Sequence, residues 1–270
     1  MSADSAPTLE LSRYLARVGV AGPLAPDRAT LARLHRAHLA AIPFENLDVR
    51  LGRPVGLDLA SLEAQLVARR RGGYCFQQNS LFAAALRAVG FSVATLEARV
   101  RPPGAPAQLP RTHMLLRVEL PAGGWLADVG FGGDGPLDPV PLDGTASEQP
   151  GDAFRVVTEA GGTIALQRRG EAGWADLYAF RPEPALPVDF QVAHHFTSTF
   201  PRSPFVTTLT VQRATPAARE TLRGRTLTVR RGAEVESREL ADEEVVAAVR
   251  ERFGLDVTAG DVLAALPTPA

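Results

Sequence analysis

The only cysteine of the 270-residue chain, Cys75, lies in the stretch RGGYCFQQN, between a glycine pair and an apolar run. A lone cysteine is most often a small buried apolar residue, and this interpretation holds unless its surroundings argue otherwise. The run from Phe76 to Val89 predicts a helix that ends at Gly90. Cys75 would then lie at the helix start, where backbone N–H groups and the helix dipole favour a thiolate. Cys75 is therefore a candidate nucleophile, provided that a base can reach it.

Among the five histidines, His113 is the best candidate for that base, because it begins the predicted strand THMLLRVEL and Asp128 follows fifteen residues later in WLADVGFGG. A base that takes the thiol proton and an acid that orients its ring are the arrangement of thiol acyl-transfer enzymes. A turn at Ala122–Gly123 places Asp128 on the face of His113 but about 13 Å along the strand. A turn near Leu120–Pro121 would set the two residues opposite each other. The spacing alone leaves both a Cys–His–Asp triad and an unrelated strand residue open.

Other polar motifs favour structural roles. His35 and His38 lie three residues apart on a predicted helix, but no third ligand matches their spacing. We interpret both as partners of the negative helix end rather than as a metal site. His194 and His195 are interpreted as surface residues. GFGGDG (130–135) matches G-x-G-x-x-G, yet the following PLDPVPL cannot begin a helix, so we predict a tight turn beside a cleft and no dinucleotide site.

Composition restricts the compartment and the class of partner. One cysteine excludes an internal disulfide and a cysteine-based zinc site, and it fits a reducing compartment. The net charge of −1 argues against a general nucleic-acid binder. No window approaches the roughly 18 apolar residues of a membrane span, and no signal peptide is expected from MSADSAPTLE. We expect a cytoplasmic protein without a metal, contacting neither nucleic acid nor membrane. Its oligomeric state stays open, and a homo-oligomer is one possibility.

Four predicted parts position the candidate residues. Residues 1–90 carry helical periodicity and hold the nucleophile. Residues 91–190 carry short alternating runs between Gly- and Pro-rich turns, which predict an antiparallel sheet or small barrel that holds the histidine and the acid. Residues 191–208, after the Pro-rich stretch RPEPALPVDF, are predicted as an interdomain connector. Residues 209–270 predict strands followed by two helices.

Six stretches of the chain match one known family in order and spacing. RGGYC, THM and DVGFGG together are highly specific, whereas each alone would be weak. On these motifs the chain resembles the arylamine N-acetyltransferases over nearly its whole length. The matching stretches are HRAHLAAIPFENLDV (35–49), RGGYCFQQN (71–79), LRAVGF (86–91), THMLLRV (112–118), DVGFGG (128–133) and STFPRSPF (198–205).

The resemblance implies an α+β fold with an N-terminal helical bundle, a central antiparallel β-barrel and a C-terminal α/β lid. Its catalytic core would be similar to those of papain-like and transglutaminase-like cysteine enzymes. It also implies ping-pong transfer of an acetyl group from acetyl-coenzyme A to an arylamine or arylhydrazine through an acetyl-cysteine. On this basis Cys75 is the nucleophile, His113 the base and Asp128 its orienting partner.

Supporting residues follow from the same resemblance. Glu45 of PFEN is expected to pair with Arg71 and brace the catalytic loop, the alternative being a surface ion pair worth under about 1 kcal/mol. Phe44 and Phe131 are expected to line the acceptor pocket, the alternative being core packing. An aromatic acceptor fits such a pocket by burial and ring stacking.

Coenzyme A contacts carry over less completely. Phe196 and Ser203 align with coenzyme-contacting positions of the family. QLPR (108–111) departs from the small or glycine residues that often precede the histidine in the family. Arg202 and Arg225 are candidates for phosphate contacts by charge alone.

Three other functions stay open on the sequence. The same triad serves an amide synthase or a transferase of longer acyl groups, because the differences lie in loops that line the cleft. A cysteine hydrolase would use the same nucleophile with water. An interaction protein without catalysis is the third alternative, which an intact triad disfavours.

Overall fold

The computed structural model describes residues 8–102, 104 and 109–266. Helices precede a central sheet of eight strands, and a second sheet of five strands lies mostly in the C-terminal part. Helices and antiparallel strands are thus segregated along the chain, and the predicted α+β fold is confirmed.

Helices concentrate in the first ninety residues, between the two sheets and near the C-terminus. Two of them, α4 and α8, continue as the π-helical turns Glu63–Ala68 and Ala248–Arg252. Within the described ranges, no helix combines the length and the apolar character needed to cross a membrane. The α-helices are α1 (Leu11–Val18), α2 (Arg28–Ala41), α3 (Leu47–Arg50), α4 (Leu59–Leu62), α5 (Cys75–Val89), α6 (Pro187–Thr199), α7 (Pro204–Thr207), α8 (Asp242–Ala247) and α9 (Ala259–Ala265).

The strands form two antiparallel sheets. They are β1 (Phe44–Glu45), β2 (Ser92–Val100), β3 (His113–Leu120), β4 (Gly123–Ala127), β5 (Val140–Pro141), β6 (Ser147–Gln149), β7 (Asp152–Thr158), β8 (Ile164–Gly170), β9 (Gly173–Phe180), β10 (Thr210–Ala214), β11 (Arg219–Arg223), β12 (Thr226–Arg231) and β13 (Glu234–Glu239). The central sheet has the order β5-β4-β3-β2-β9-β8-β7-β6, and β5 packs against β7 to give a nearly closed barrel. The other sheet, called the lid sheet below, has the order β1-β10-β11-β12-β13.

Three buried apolar clusters stabilise these layers. One joins the N-terminal helices to β3, where Met114 and Leu116 face α5. A second fills the barrel around Tyr178 and Phe180, and a third joins the lid sheet to α8 and α9. Leu47 of α3 belongs to this third cluster, so the N-terminal part contributes to the C-terminal core. The four domain bounds given above stay a prediction.

The Pro-rich stretch before residue 191 is only partly a connector. Helix α6 begins at Pro187, inside RPEPALPVDF, with proline in its first turn. Proline lacks an N–H that the first turn would leave unpaired, and its fixed φ suits a helix start. Asp189 stabilises this start by accepting a hydrogen bond from the N–H of Leu186 at 2.8 Å. The stretch RPEPALPVDF therefore lacks regular structure only up to Leu186, and its last four residues belong to α6.

Candidate active site

Cys75 is the first residue of α5, one residue before the start that the apolar pattern predicts. It is 97% buried, and its Sγ lies 3.7 Å from the carbonyl oxygen of Thr112, to which the thiol donates. Gly72 allows this position, because a Cβ there would lie 2.0 Å from the carbonyl oxygen of Pro43. The glycine pair before the cysteine thus lets the loop before α5 pack directly on the neighbouring backbone.

The strand pairing brings Asp128 to His113 across a diagonal. Leu120 pairs with Gly123, so the β3–β4 turn is centred between the two positions considered from the sequence. Asp128 lies just beyond the end of β4, with the side-chain parity that the spacing predicts. Diagonal neighbours on one face of an antiparallel pair lie within reach of long side chains. Nε2 of His113 lies 2.7 Å from Oδ2 of Asp128, and both residues are buried.

Both oxygens of Asp128 are saturated with donors. Oδ1 accepts from Nδ2 of Asn79 and from the N–H of Gly130, each at 2.9 Å. Oδ2 accepts from the hydroxyl of Tyr178 at 2.9 Å in addition to the ring of His113. A carboxylate held in this way has one orientation, and it fixes which ring nitrogen of His113 carries the proton toward it. The other ring nitrogen, Nδ1, is then the one available to the thiol.

Asn79 joins α5 to both strands of the site. Its Nδ2 also donates to the carbonyl oxygen of Met114 at 2.7 Å, and its Oδ1 accepts from the N–H of Val129 at 3.1 Å. Asn79 lies four residues after Cys75, hence on the same helix face. That spacing was the available sequence signal for its role. Tyr178 had no comparable signal, because its contact depends on how β9 is placed in the barrel.

The charges of the site favour an ionised pair. Burial alone would lower the pKa of His113, but the charge and hydrogen bond of Asp128, followed by contacts with Cys75, raise it to about 10. Burial alone would raise the pKa of Asp128, but the charge of His113 and the surrounding donors hold it below its usual range. At neutral pH His113 is therefore a cation between a carboxylate and the thiol. Such a cation stabilises a thiolate beside it.

The structure contradicts the interpretation of His35 and His38 as partners of the negative helix end. Both are fully buried, and burial lowers the pKa of each, that of His38 to about 3. His35 accepts the backbone N–H of Asp128 at 3.1 Å and donates to the carbonyl oxygen of Leu137 at 2.9 Å. His35 is thus neutral and supports the backbone of the acid. The interpretation as partners of the negative helix end is wrong because both rings lie on the buried side of α2, where burial keeps them neutral.

Comparisons with known proteins agree with this geometry. A family model described as N-acetyltransferase matches residues 27–262. The arylamine N-acetyltransferase of Mycolicibacterium smegmatis is 42% identical over 258 residues, which cover 92% of this chain and 93% of that protein. The arylamine N-acetyltransferase of Escherichia coli is 39% identical, covering 92% of this chain and 89% of that protein.

The chain belongs to the arylamine N-acetyltransferase family.

The fold of this family member is also that of solved family structures. The structure of Mycobacterium marinum arylamine N-acetyltransferase in complex with CoA matches with a TM-score of 0.89 at 36% identity. The match covers 95% of this chain and 98% of that one.

In this arylamine N-acetyltransferase family member, Glu45 and Arg71 form a buried ion pair rather than a surface one. Nη2 of Arg71 lies 2.7 Å from Oε1 of Glu45, and the two side chains are 7% and 1% exposed. Asp48 adds a second carboxylate at 3.3 Å. The N–H of Glu45 donates to the carbonyl oxygen of Gly73 at 3.0 Å, so this pair lies beside the glycines that precede Cys75. Its role in bracing the loop stays a prediction.

The two phenylalanines assigned to the acceptor pocket occupy different surroundings. Phe131 is half-buried, and its ring stands edge-on to His113, with centroids 5.3 Å apart. Phe44 is almost fully buried, and its ring packs against Phe205 at 5.9 Å, which in turn contacts Tyr74 beside the nucleophile. Phe131 therefore contacts the ring of His113 directly, whereas Phe44 contacts the ring of Phe205. Their contact with an acceptor stays a prediction.

The two residues assigned to coenzyme contacts lie in different surroundings. Phe196 is 40% exposed and borders a groove of about 440 Å³ that Arg111, Thr112 and Val192 also line. Thr112 connects this groove with Cys75, because its carbonyl oxygen accepts from the Cys75 thiol.

Ser203 lies apart from that groove. It is buried, and its hydroxyl donates to the carbonyl oxygen of Thr197 at 2.6 Å and accepts from the N–H of Phe205. This hydroxyl is therefore occupied by the protein itself. Gln108, the first residue of QLPR, lies outside the described residues.

Other residues singled out in the sequence have structural contacts. The ring of His194 is half-buried and hydrogen-bonded to the hydroxyl of Tyr74, so only His195 is exposed at the surface as expected. The guanidinium of Arg202 lies over the ring of Phe200, and that of Arg225 pairs with Asp242. In the part of the chain that the structure describes, no group of three or more His, Cys, Asp or Glu side chains is arranged to hold a metal ion.

Proposed function

We propose that the protein transfers an acetyl group from acetyl-coenzyme A to an arylamine or arylhydrazine through an acetyl group on Cys75. The observation that supports this most strongly is the buried His113–Asp128 pair beside the only thiol of the chain. Relatives named arylamine N-acetyltransferase support the acceptor class. The family structure in complex with CoA supports the donor.

In the first half-reaction the Cys75 thiolate attacks the acetyl carbonyl carbon. The resulting oxyanion needs donors, and we assign the backbone N–H of Cys75, because first-turn N–H groups of a helix have no partner inside it. The tetrahedral intermediate then breaks its bond to the coenzyme sulfur. His113, a cation at neutral pH, gives its proton to the departing coenzyme thiolate. The products are acetyl-Cys75, free coenzyme A and neutral His113.

In the second half-reaction the acceptor nitrogen attacks the acetyl-Cys75 carbonyl. Neutral His113 takes the proton that the nitrogen loses as its bond to the acetyl carbon forms. The Cys75 thiolate leaves, and the thiolate and the His113 cation are regenerated. Asp128 stabilises the cation in both steps and keeps the ring in one orientation.

Residues around the triad take roles that fit this chemistry. We assign the aromatic acceptor to the half-buried ring of Phe131, with Phe44 supporting the pocket from behind. We assign the coenzyme to the groove that Phe196 borders. The buried pair of Glu45 and Arg71 holds the loop before Cys75. Removal of one partner of such a buried pair costs about 3–5 kcal/mol in stability. A reducing compartment, the cytoplasm, keeps Cys75 as a thiol.

Intact-protein mass spectrometry after mixing with acetyl-coenzyme A, without an acceptor, tests the proposal. We expect one acetyl group on the peptide that contains Cys75, and its removal by aniline with formation of acetanilide. A panel of acyl-coenzyme A donors distinguishes acetyl transfer from transfer of longer acyl groups. Rapid loss of the acetyl group to water alone would favour a hydrolase. Acetylation of aniline by Cys75→Ala at near the wild-type rate would refute the mechanism.

A further inference from the structure

The turn that carries Phe131 is bound by the lid sheet as well as by the barrel. This turn, residues 130–135, is called the Phe131 turn below. The N–H of Gly133 donates to Oε1 of Gln212, on β10, at 3.0 Å. Nη1 of Arg219, on β11, donates to the carbonyl oxygens of Gly133 at 2.8 Å and Gly135 at 2.6 Å. Two lid residues therefore bind three backbone groups of the turn.

The Phe131 turn is also sterically fitted to the lid sheet. The N–H of Gly135 donates to the carbonyl oxygen of Gly132 at 3.0 Å, which closes the turn. Gly132 has φ +92°, and a Cβ there would lie 2.0 Å from Oε1 of Gln212. A Cβ at Gly135 would lie 3.0 Å from Cβ of Phe131. Gln212 thus packs against Gly132 on one side of the turn, and Gly135 packs against Cβ of Phe131 within the turn. A shift of the lid contacts would therefore move the Phe131 side chain.

Arg219 is positioned by a cluster of charges between barrel and lid. Asp152 accepts hydrogen bonds from Arg219 at 2.8 Å, Arg168 at 2.6 Å and Arg230 at 2.9 Å, and Arg168 also pairs with Asp134. Arg219 is 94% buried, and its Nη2 has no hydrogen-bond partner among the described residues. The cluster holds three guanidinium groups and two carboxylates. Loss of Arg219 therefore leaves Asp152 paired and the cluster neutral.

We propose that Gln212 and Arg219 are positioning residues that set acceptor specificity by fixing the Phe131 turn against the lid sheet. The proposal rests on the proposed function, because it assigns the Phe131 ring to the acceptor. Neither residue is part of the triad, so the first half-reaction does not depend on them. The second half-reaction does, since the ring of Phe131 lies edge-on to His113 at 5.3 Å, where an aromatic amine must approach.

The test measures both half-reactions in Arg219→Met and Gln212→Met. We expect the KM for arylamines to rise several-fold to about tenfold, the range of one aromatic contact, while the rate of Cys75 acetylation by acetyl-coenzyme A stays within twofold. The ratio of kcat/KM for a two-ring amine to that for aniline should change as well. Gln212→Glu keeps an acceptor for the N–H of Gly133 and should restore the wild-type KM.

Arg230→Met is the matched control. It removes one partner of Asp152 and no hydrogen bond with the backbone of the Phe131 turn, where Arg230 only approaches the exposed carboxylate of Asp134 at 3.9 Å, so its KM for arylamines should stay close to that of the wild type. Wild-type KM values in Arg219→Met and Gln212→Met, or equal slowing of both half-reactions, would overturn the proposal. If Arg219→Met does not fold, Gln212→Met and Gln212→Glu decide. A wild-type protein that does not acetylate arylamines would refute the proposed function instead.

Discussion

Two buried histidines of this protein differ in charge at neutral pH, one being a cation and the other neutral. His113, in the cleft, has a pKa raised to about 10, and His38, inside α2, has a pKa lowered to about 3. Both rings are almost inaccessible to solvent and each stands edge-on to a phenylalanine, Phe131 for His113 and Phe82 for His38. Burial and aromatic contact are therefore similar in the two regions, and neither explains the difference.

The hydrogen-bond partners of the two rings explain the difference in pKa. His113 binds the carboxylate of Asp128, whereas Nε2 of His38 binds the side-chain amide oxygen of Gln78 at 2.6 Å and Nδ1 binds the hydroxyl of Tyr14 at 2.9 Å. An amide and a hydroxyl satisfy a neutral ring without supplying a negative charge. Burial alone thus produces a structural histidine, and a buried carboxylate converts the same residue into a cationic partner of a thiol.

Asp128→Asn removes the difference between the two histidines and has the largest expected effect. Without the carboxylate, the pKa of His113 should fall, because burial then dominates as it does for His38. Acetylation of Cys75 should slow by about four orders of magnitude, as in other triads. Stopped-flow measurement of coenzyme A release gives the rate, and circular dichroism checks the fold. A folded variant within tenfold of the wild-type rate would show that Asp128 has no catalytic role.

Phe82→Ala tests whether the region around His38 contributes to stability rather than to catalysis. Phe82 is fully buried against the rings of His35 and His38, so its truncation should lower the free energy of unfolding by about 3–5 kcal/mol. The KM for arylamines should not change in the folded fraction. Urea unfolding and steady-state kinetics give the two values. A raised KM without loss of stability would mean that this region reaches the acceptor.

His38→Gln tests whether the neutral His38 makes the free energy of unfolding depend on pH. The folded-state pKa of His38 is about 3 and the unfolded value about 6.5, so protonation favours the unfolded chain and stability falls as pH falls below about 6.5. The loss through His38 is about 1.4 kcal/mol per pH unit, or about 3 kcal/mol by pH 4.5. His38→Gln should remove that part of the slope in urea unfolding. His195→Gln, at an exposed position, is the control that should keep the wild-type slope, and equal slopes in all three proteins would contradict the account.

Phe131→Ala has the smallest expected effect and is the counterpart of Phe82→Ala. Its ring is half-buried beside His113, so the change should raise the KM for aromatic acceptors several-fold to about tenfold. Acetylation of Cys75 by acetyl-coenzyme A should stay nearly unchanged. Separate measurement of the two half-reactions distinguishes these effects. Equal damage to both would give Phe131 a structural role only.

Part of this arrangement was predictable from local patterns. Helix α5 and its end before Gly90 follow, to within one residue at the start, from apolar spacing and glycine, which depend on neighbouring residues alone. The shared face of His113 and Asp128 follows from strand parity, which does not depend on where the turn lies.

The remaining features depend on contacts between distant elements. The diagonal offset between His113 and Asp128 required the observed turn, centred between the two positions considered. The donation of Tyr178 to Asp128 spans 50 residues, and the support of Asp128 by His35 spans 93. No periodicity in the sequence encodes such pairs, because each depends on how α2, β9 and the barrel pack.

The pH dependence of Cys75 alkylation by iodoacetamide tests the central claim most directly, because the chain has no other cysteine. In the wild type, the His113 cation stabilises a thiolate, so alkylation should already be fast at neutral pH. In Asp128→Asn, the neutral ring gives no such support, and fast alkylation should require a pH at least about one unit higher. Superimposable profiles from two folded proteins would contradict a working Cys75–His113–Asp128 triad.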